Sequence, residues 1–214
     1  MTPPSPIAGV ARSRSWVRGC FVVETRPEAG PVDRAAVLLL PPLGYEETAS
    51  YRPLRVLADH LAAAGRLVQR LDWPGLGDSA LDPGDPARGP DTLSIVGALV
   101  EALRARGFER VVGVGVRAGG LLAAAAGGFD ALALWGVPPT GRRYLREERA
   151  FQRLSAKAFG PAPESAPPLP DGAREAGGFV YPASLVEALG ALDLAAALAA
   201  SPPAQVLFLP REGT

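Results

Sequence analysis

The chain has 214 residues, 48% of them hydrophobic and 21% charged, with 22 Lys+Arg balancing 22 Asp+Glu. Those values suit a globular chain with a sizeable core and exclude a disordered one, and neutrality gives no basic face for a nucleic-acid backbone. One cysteine, Cys20, and one histidine, His60, exclude an internal disulfide and a Cys/His zinc site within the chain.

Residues 1–15 are expected to form a flexible N-terminus. Met1 to Ile7 is Pro-rich and lacks a basic stretch followed by an apolar one, so no signal peptide is expected. The longest apolar runs are a strand's length, so no membrane span is expected and the default location is the cytoplasm. Residues 16–214 are expected to form a single domain.

Trp16 to Thr25 reads as a strand or hairpin arm. Ala35 to Leu40 is a continuous apolar run, suited to a strand buried on both faces. Ala49 to Ala64 carries Leu54, Leu57, Ala58 and Leu61 at helical spacing and stops at Gly65. Arg66 to Leu71 is the next strand and runs into the Asp72–Ser79 loop. Asp91 or Thr92 caps a helix to about Arg106. Val111 to Val116 is a buried strand, Ala118 to Ala126 a small-residue helix and Ala131 to Trp135 a further strand. Thr140 to Ala156 is a charged helix whose apolar face (Tyr144, Leu145, Phe151, Leu154) is interrupted by Glu147 and Glu148. Its run of Arg142, Arg143, Arg146 and Arg149 with these two acids reads as a solvated face. About 157–180 is a Pro/Gly-rich loop or cap segment. Ser184 to Ala199 is one helix, and Gln205 to Leu209 a final strand.

This alternation predicts an α/β fold, a mostly parallel sheet with helices on both faces. The strand ends at Leu40, Leu71, Val116 and Trp135 then share the edge where such sheets bind ligands.

The Asp72-Trp-Pro-Gly-Leu-Gly-Asp-Ser79 stretch resembles the Asp-x-x-Gly-x-Gly-x-Ser loop of the α/β-hydrolase superfamily, and the resemblance extends from about Val17 to Leu209. Pro41 to Ser50, Val112 to Leu122 and the Leu134 to Arg146 region resemble the exosortase-associated hydrolase-like and serine aminopeptidase-like groups. The superfamily's nucleophile elbow is Gly-x-Ser-x-Gly. Gly115-Val116-Arg117-Ala118-Gly119 aligns on it, with Arg117 at the nucleophile position. An arginine stays protonated and cannot attack a carbonyl. The resemblance implies an oxyanion hole from the Ala118 N–H and that of Leu43 or Gly44, beside Tyr45.

The remaining triad members are missing from the expected order of serine, acid, histidine. His60 lies upstream of the elbow. Glu212 follows the Gln205–Leu209 strand, but the chain stops at Thr214, so the fold is read as C-terminally incomplete. Arg117, at a helix start, has these readings: it binds an anionic ligand, or it points to solvent or pairs with an acid such as Asp78. Cys20 reads as a small core residue, and Asp78 and Ser79 as parts of a structural loop. Gly113-x-Gly115-x-x-Ala118 also fits a dinucleotide fingerprint, but the next strand ends Leu134-Trp135-Gly136 without the acid that would hold a ribose.

The expected function is therefore a hydrolase-fold protein related to esterases, thioesterases and peptidases but lacking Ser-His-Asp catalysis. The alternative is a non-catalytic module for a small anionic or acyl ligand or a partner protein. No cofactor or metal is expected. A final strand at a sheet edge favours a homo-oligomer or a partner protein.

Overall fold

A two-residue turn at Arg18-Gly19, both with positive φ (49° and 78°), joins two antiparallel strands. These are β1 (Val10–Val17) and β2 (Cys20–Pro27), in register from Val17↔Cys20 to Val10↔Pro27. The computed structural model describes residues 9–30, 32–159 and 168–211. The N-terminus expected to be flexible to residue 15 is thus a strand from Val10 onward. Its exposed Arg/Ser alternation, typical of a polar edge strand, hides it from apolar patterning.

β3 (Ala35–Leu40) leads into α1 (Tyr45–Ala63), β4 (Leu67–Leu71), α2 (Arg88–Ala105), β5 (Arg110–Val116), α3 (Ala118–Ala126), β6 (Ala131–Trp135) and α4 (Gly141–Phe159). A short hairpin follows, β7 (Arg174–Ala176) with β8 (Phe179–Tyr181), then α5 (Ala183–Gly190), α6 (Leu194–Ala200) and β9 (Gln205–Leu209). The main sheet has the order β1-β2-β4-β3-β5-β6-β9. Strands β4, β3, β5, β6 and β9 are mutually parallel, and β2 joins β4 antiparallel.

Helices flank both faces. Ala36, Leu38 and Leu40 of β3 join the core with α2 and α3, while Val37 and Leu39 pack with Ala58 and Ala62 of α1. This is the period-2 alternation of a strand buried on both sides. Among the described residues β9 is an edge strand, with all five residues exposed.

Three expected helix boundaries shift. The helix expected from Ala49 starts at Tyr45. The helix expected from Asp91 or Thr92 starts at Arg88, a fully buried arginine. Its Nε donates to Pro74 O (2.7 Å), and its Nη1 to Val180 O (2.7 Å) and to Pro83 O. The guanidinium thereby ties the Asp72–Ser79 loop to β8. The single helix expected over 184–199 is two, because Asp193 takes an extended backbone and caps α6, its Oδ1 accepting from Ala196 N–H at 2.9 Å. Asp193→Ala is expected to cost about 1 kcal/mol of stability, read from a urea midpoint. The segment expected as a loop or cap at about 157–180 holds the end of α4 and the β7–β8 hairpin. Residues 160–167 lie outside the described residues.

Candidate functional site

The strand-to-helix turn between β5 and α3 requires its glycines. A Cβ at Gly115 would run into Gly120 Cα, and one at Gly119 into the carbonyl oxygens of Leu40 and Pro41. Between them Arg117 is held at φ 53°, ψ −119°, a backbone that non-glycine residues rarely adopt. Its N–H donates to Trp135 O (3.0 Å), and Gly120 N–H donates to Arg117 O (3.1 Å). This is the strained, side-chain-presenting geometry of a nucleophile elbow, carrying a guanidinium.

The guanidinium is buried, with its side chain 11% exposed, and is taken up by the protein itself. Nε donates to both carboxylate oxygens of Glu46 (3.0 and 3.1 Å). Nη1 donates to Gly136 O (2.9 Å) and Nη2 to Glu147 Oε2 (2.5 Å). Its Cζ lies 5.8 Å from the centroid of the Tyr144 ring. Arg143, one turn before Glu147 on α4, donates to Glu147 Oε1 at 3.0 Å. Burial disfavours the charged guanidinium, but the Glu147 hydrogen bond and the Glu46 charge outweigh it and raise the Arg117 pKa. For Glu147 burial also works against charge, and the hydrogen bonds from Arg117 and Arg143 outweigh it, so its pKa is lowered.

A second polar cluster lies behind the first. Glu148 is buried, and its Oε2 accepts from Tyr181 Oη at 3.1 Å. Tyr181 Oη lies 3.2 Å from Tyr144 Oη, which donates to Leu43 O at 3.5 Å. Burial first, and then the charge of Glu46, push the Glu148 carboxyl up to about 7. Burial also raises both tyrosines. A Cβ at Gly44 would run into Tyr181 Oη, so this hydroxyl sits directly against the loop after β3.

The expected residues are only partly brought together. Leu43, Gly44, Arg117 and Ala118 are all buried where the β3 and β5 loops approach each other. Tyr45 is turned outward and 50% exposed, its ring 5.1 Å from that of Phe151. Arg117 pairs with Glu46 and Glu147 rather than with Asp78, whose N–H donates to Asp72 Oδ2 at 3.0 Å. Ser79 also serves its loop: Oγ donates to Asp72 O (2.6 Å) and accepts from Phe21 N–H (2.8 Å). His60 is exposed at the end of α1. Cys20 is buried in the core, and burial pushes its thiol up to about 11. Glu212 lies outside the described residues.

The reading of α4 as a solvated acid–base face holds for Arg142, Arg143, Arg146 and Arg149, which are exposed, and is corrected at Glu148. The Arg143–Glu147 i,i+4 pair is present, but Glu148 is buried and Leu154, expected on the apolar face, is 67% exposed. The residues missed were Glu46, Glu148 and Tyr181. The signal for Glu148 was its place on the stripe of Tyr144 and Phe151, where a carboxylate is costly unless paired.

Beside the elbow is a cleft of about 300 Å³. Its walls include Val137, Pro139, Phe208 and Leu209, with Arg143 and Arg211 also lining it. Among the described residues no group of three His, Cys, Asp or Glu is placed to hold a metal ion, and no helix is long and apolar enough to cross a membrane.

No family model matches the chain, and no curated protein does. Solved structures do. All of the chain is similar to 88% of a hypothetical protein from Pseudomonas aeruginosa (TM-score 0.57, 14% identity). It is similar over 98% of its length to 70% of brefeldin A esterase, a bacterial homologue of human hormone sensitive lipase (TM-score 0.52, 18% identity). The chain spans 47% of a third neighbour, an esterase, with 64% of its own length matched (TM-score 0.45, 18% identity). The sheet order and the first two of these likenesses show that the chain has the α/β-hydrolase fold.

Proposed function

We propose that this chain is a hydrolase-fold protein without Ser-His-Asp catalysis, which binds a small anionic or acyl ligand in the cleft beside its elbow. One observation carries the reading. The strained elbow position is occupied by Arg117, whose guanidinium is engaged by Glu46, Glu147 and Gly136 O. A cation cannot attack an acyl carbon, and no histidine is near to act as base. The neighbouring cleft remains, with an apolar wall of Val137, Pro139, Phe208 and Leu209 for an acyl chain; of the arginines at its rim, Arg143 is shared with Glu147. The finer likeness to exosortase-associated and serine aminopeptidase-like hydrolases, and a cytoplasmic location, belong to the same proposal.

Hexanoate is the direct probe. It is expected to stabilise the protein by about 2.7 kcal/mol at a hundredfold excess over Kd, while p-nitrophenyl hexanoate is released no faster than in buffer. Phe208→Asp should abolish the stabilisation. Absence of any hexanoate-dependent shift contradicts the binding role, and turnover above buffer contradicts the loss of catalysis.

The exposed edge strand β9 supports a second reading, pairing with another copy of this chain. Light scattering at micromolar concentration should then give twice the 22.1 kDa chain mass, whereas a monomer would end that reading.

A further inference from the structure

A second cleft, of about 280 Å³, opens between α4 and the β7–β8 hairpin. Gly177 N–H donates to Gln152 Oε1 at 2.8 Å and pins the hairpin to the helix, so the two walls are fixed relative to each other. Three arginines line it. Arg149 and Arg153 stand one turn apart on α4, and Arg174 faces them from β7. Several arginines elsewhere are matched to acids, among them Arg12 to Asp59, Arg34 to Glu109, Arg66 to Asp33, Arg104 to Asp130 and Arg106 to Glu24. Arg149, Arg153 and Arg174 have no hydrogen bond or ion pair among the described residues.

We propose that this cleft is a binding site for a small phosphomonoester, its phosphoryl group held by the guanidinium groups of Arg149, Arg153 and Arg174. Three guanidinium groups that make no ion pair among the described residues line one cleft, and a dianion there would be attracted by all three. Guanidinium forks match phosphoryl oxygens, two N–H donors to two oxygens. The acids lining the cleft do not cancel the charge. Glu175 makes no ion pair with the three arginines, and Glu148 is engaged by the Tyr181 hydroxyl. Leu145 and Ala176 supply an apolar surface for the organic part of the ester. The site shares none of the elbow cleft's lining residues.

Phenyl phosphate is the probe, titrated calorimetrically at pH 7 into the full chain, with benzoate and inorganic phosphate as the other arms. Phenyl phosphate is expected to bind at least tenfold tighter than either. Arg174→Gln, and separately the Arg149→Gln/Arg153→Gln double variant, should each weaken it at least tenfold. These side chains are exposed or half-exposed, so the variants are expected to fold. Arg142→Gln, exposed on α4 and lining neither cleft, should leave the affinity unchanged. Affinity unaltered in both the Arg174 and the Arg149/Arg153 variants would overturn the site. Benzoate or inorganic phosphate binding as tightly as phenyl phosphate would overturn the ligand class.

Discussion

Arg117→Ala is expected to lower stability by about 1–3 kcal/mol, less than the about 3–5 kcal/mol of a fully buried pair because Glu46 and Glu147 are about a third exposed. The reason lies in what remains. Glu46 and Glu147 lose the cation that bridges them, and Glu148 sits nearby with its pKa already raised by burial and by Glu46. Gly136 O also loses a donor. Opposing this, alanine removes a strained arginine backbone only to place another non-glycine residue at φ 53°, so little strain is relieved. Adding Glu46→Gln and Glu147→Gln to Arg117→Ala should recover part of the loss, because the uncompensated charges then disappear. Denaturant midpoints at constant m-value measure both steps. An Arg117→Ala protein as stable as the parent would mean that the ion cluster contributes nothing. Arg117→Ser should be no hydrolase, because restoring a hydroxyl restores no base.

Glu148→Gln is expected to change how stability depends on pH. The folded-state pKa of about 7 lies above the ordinary glutamate value of 4.5, so folding favours the protonated carboxyl. The stability from this group is fully present below pH about 4.5 and is lost as pH rises through about 7. Glutamine keeps a carbonyl oxygen to accept from Tyr181 and has no proton to lose. The variant should therefore match the parent near pH 4.5 and exceed it by about 2–3 kcal/mol at pH 8. A residual decline with pH persists in both proteins. Burial, and then the charge of Asp72, push Glu47 up to about 8, in the same direction. Urea midpoints at pH 5, 6, 7 and 8 give the comparison. Parallel curves for parent and variant would show that Glu148 does not titrate across this range.

The central sheet was readable because β3, β4 and β5 carry apolar residues on both faces, and Gly65 and Gly107 end the helices before β4 and β5. The elbow was readable from Gly115 and Gly119, where close backbone approach admits no side chain. Its chemistry was readable only by half. The place of Arg117 in the turn was readable, but its partners are set by tertiary structure. Glu46 is 71 residues away in sequence and Glu147 is 30. No local pattern states that distance is closed. The same holds for Tyr181, which belongs to a three-residue strand in a Pro/Gly-rich stretch and reaches across to Gly44 and Glu148. β1 was half-missed for a different reason: its exposed Arg12–Ser15 alternation is held by pairing with β2, not by burial.

The measurement that bears most directly on the account is ester hydrolysis by the parent chain and Arg117→Ala side by side, using p-nitrophenyl hexanoate at pH 7. Both proteins are predicted to release p-nitrophenol at the buffer rate. Saturable turnover by the parent that disappears in Arg117→Ala would contradict the account, because it would make the elbow arginine part of a working catalytic site.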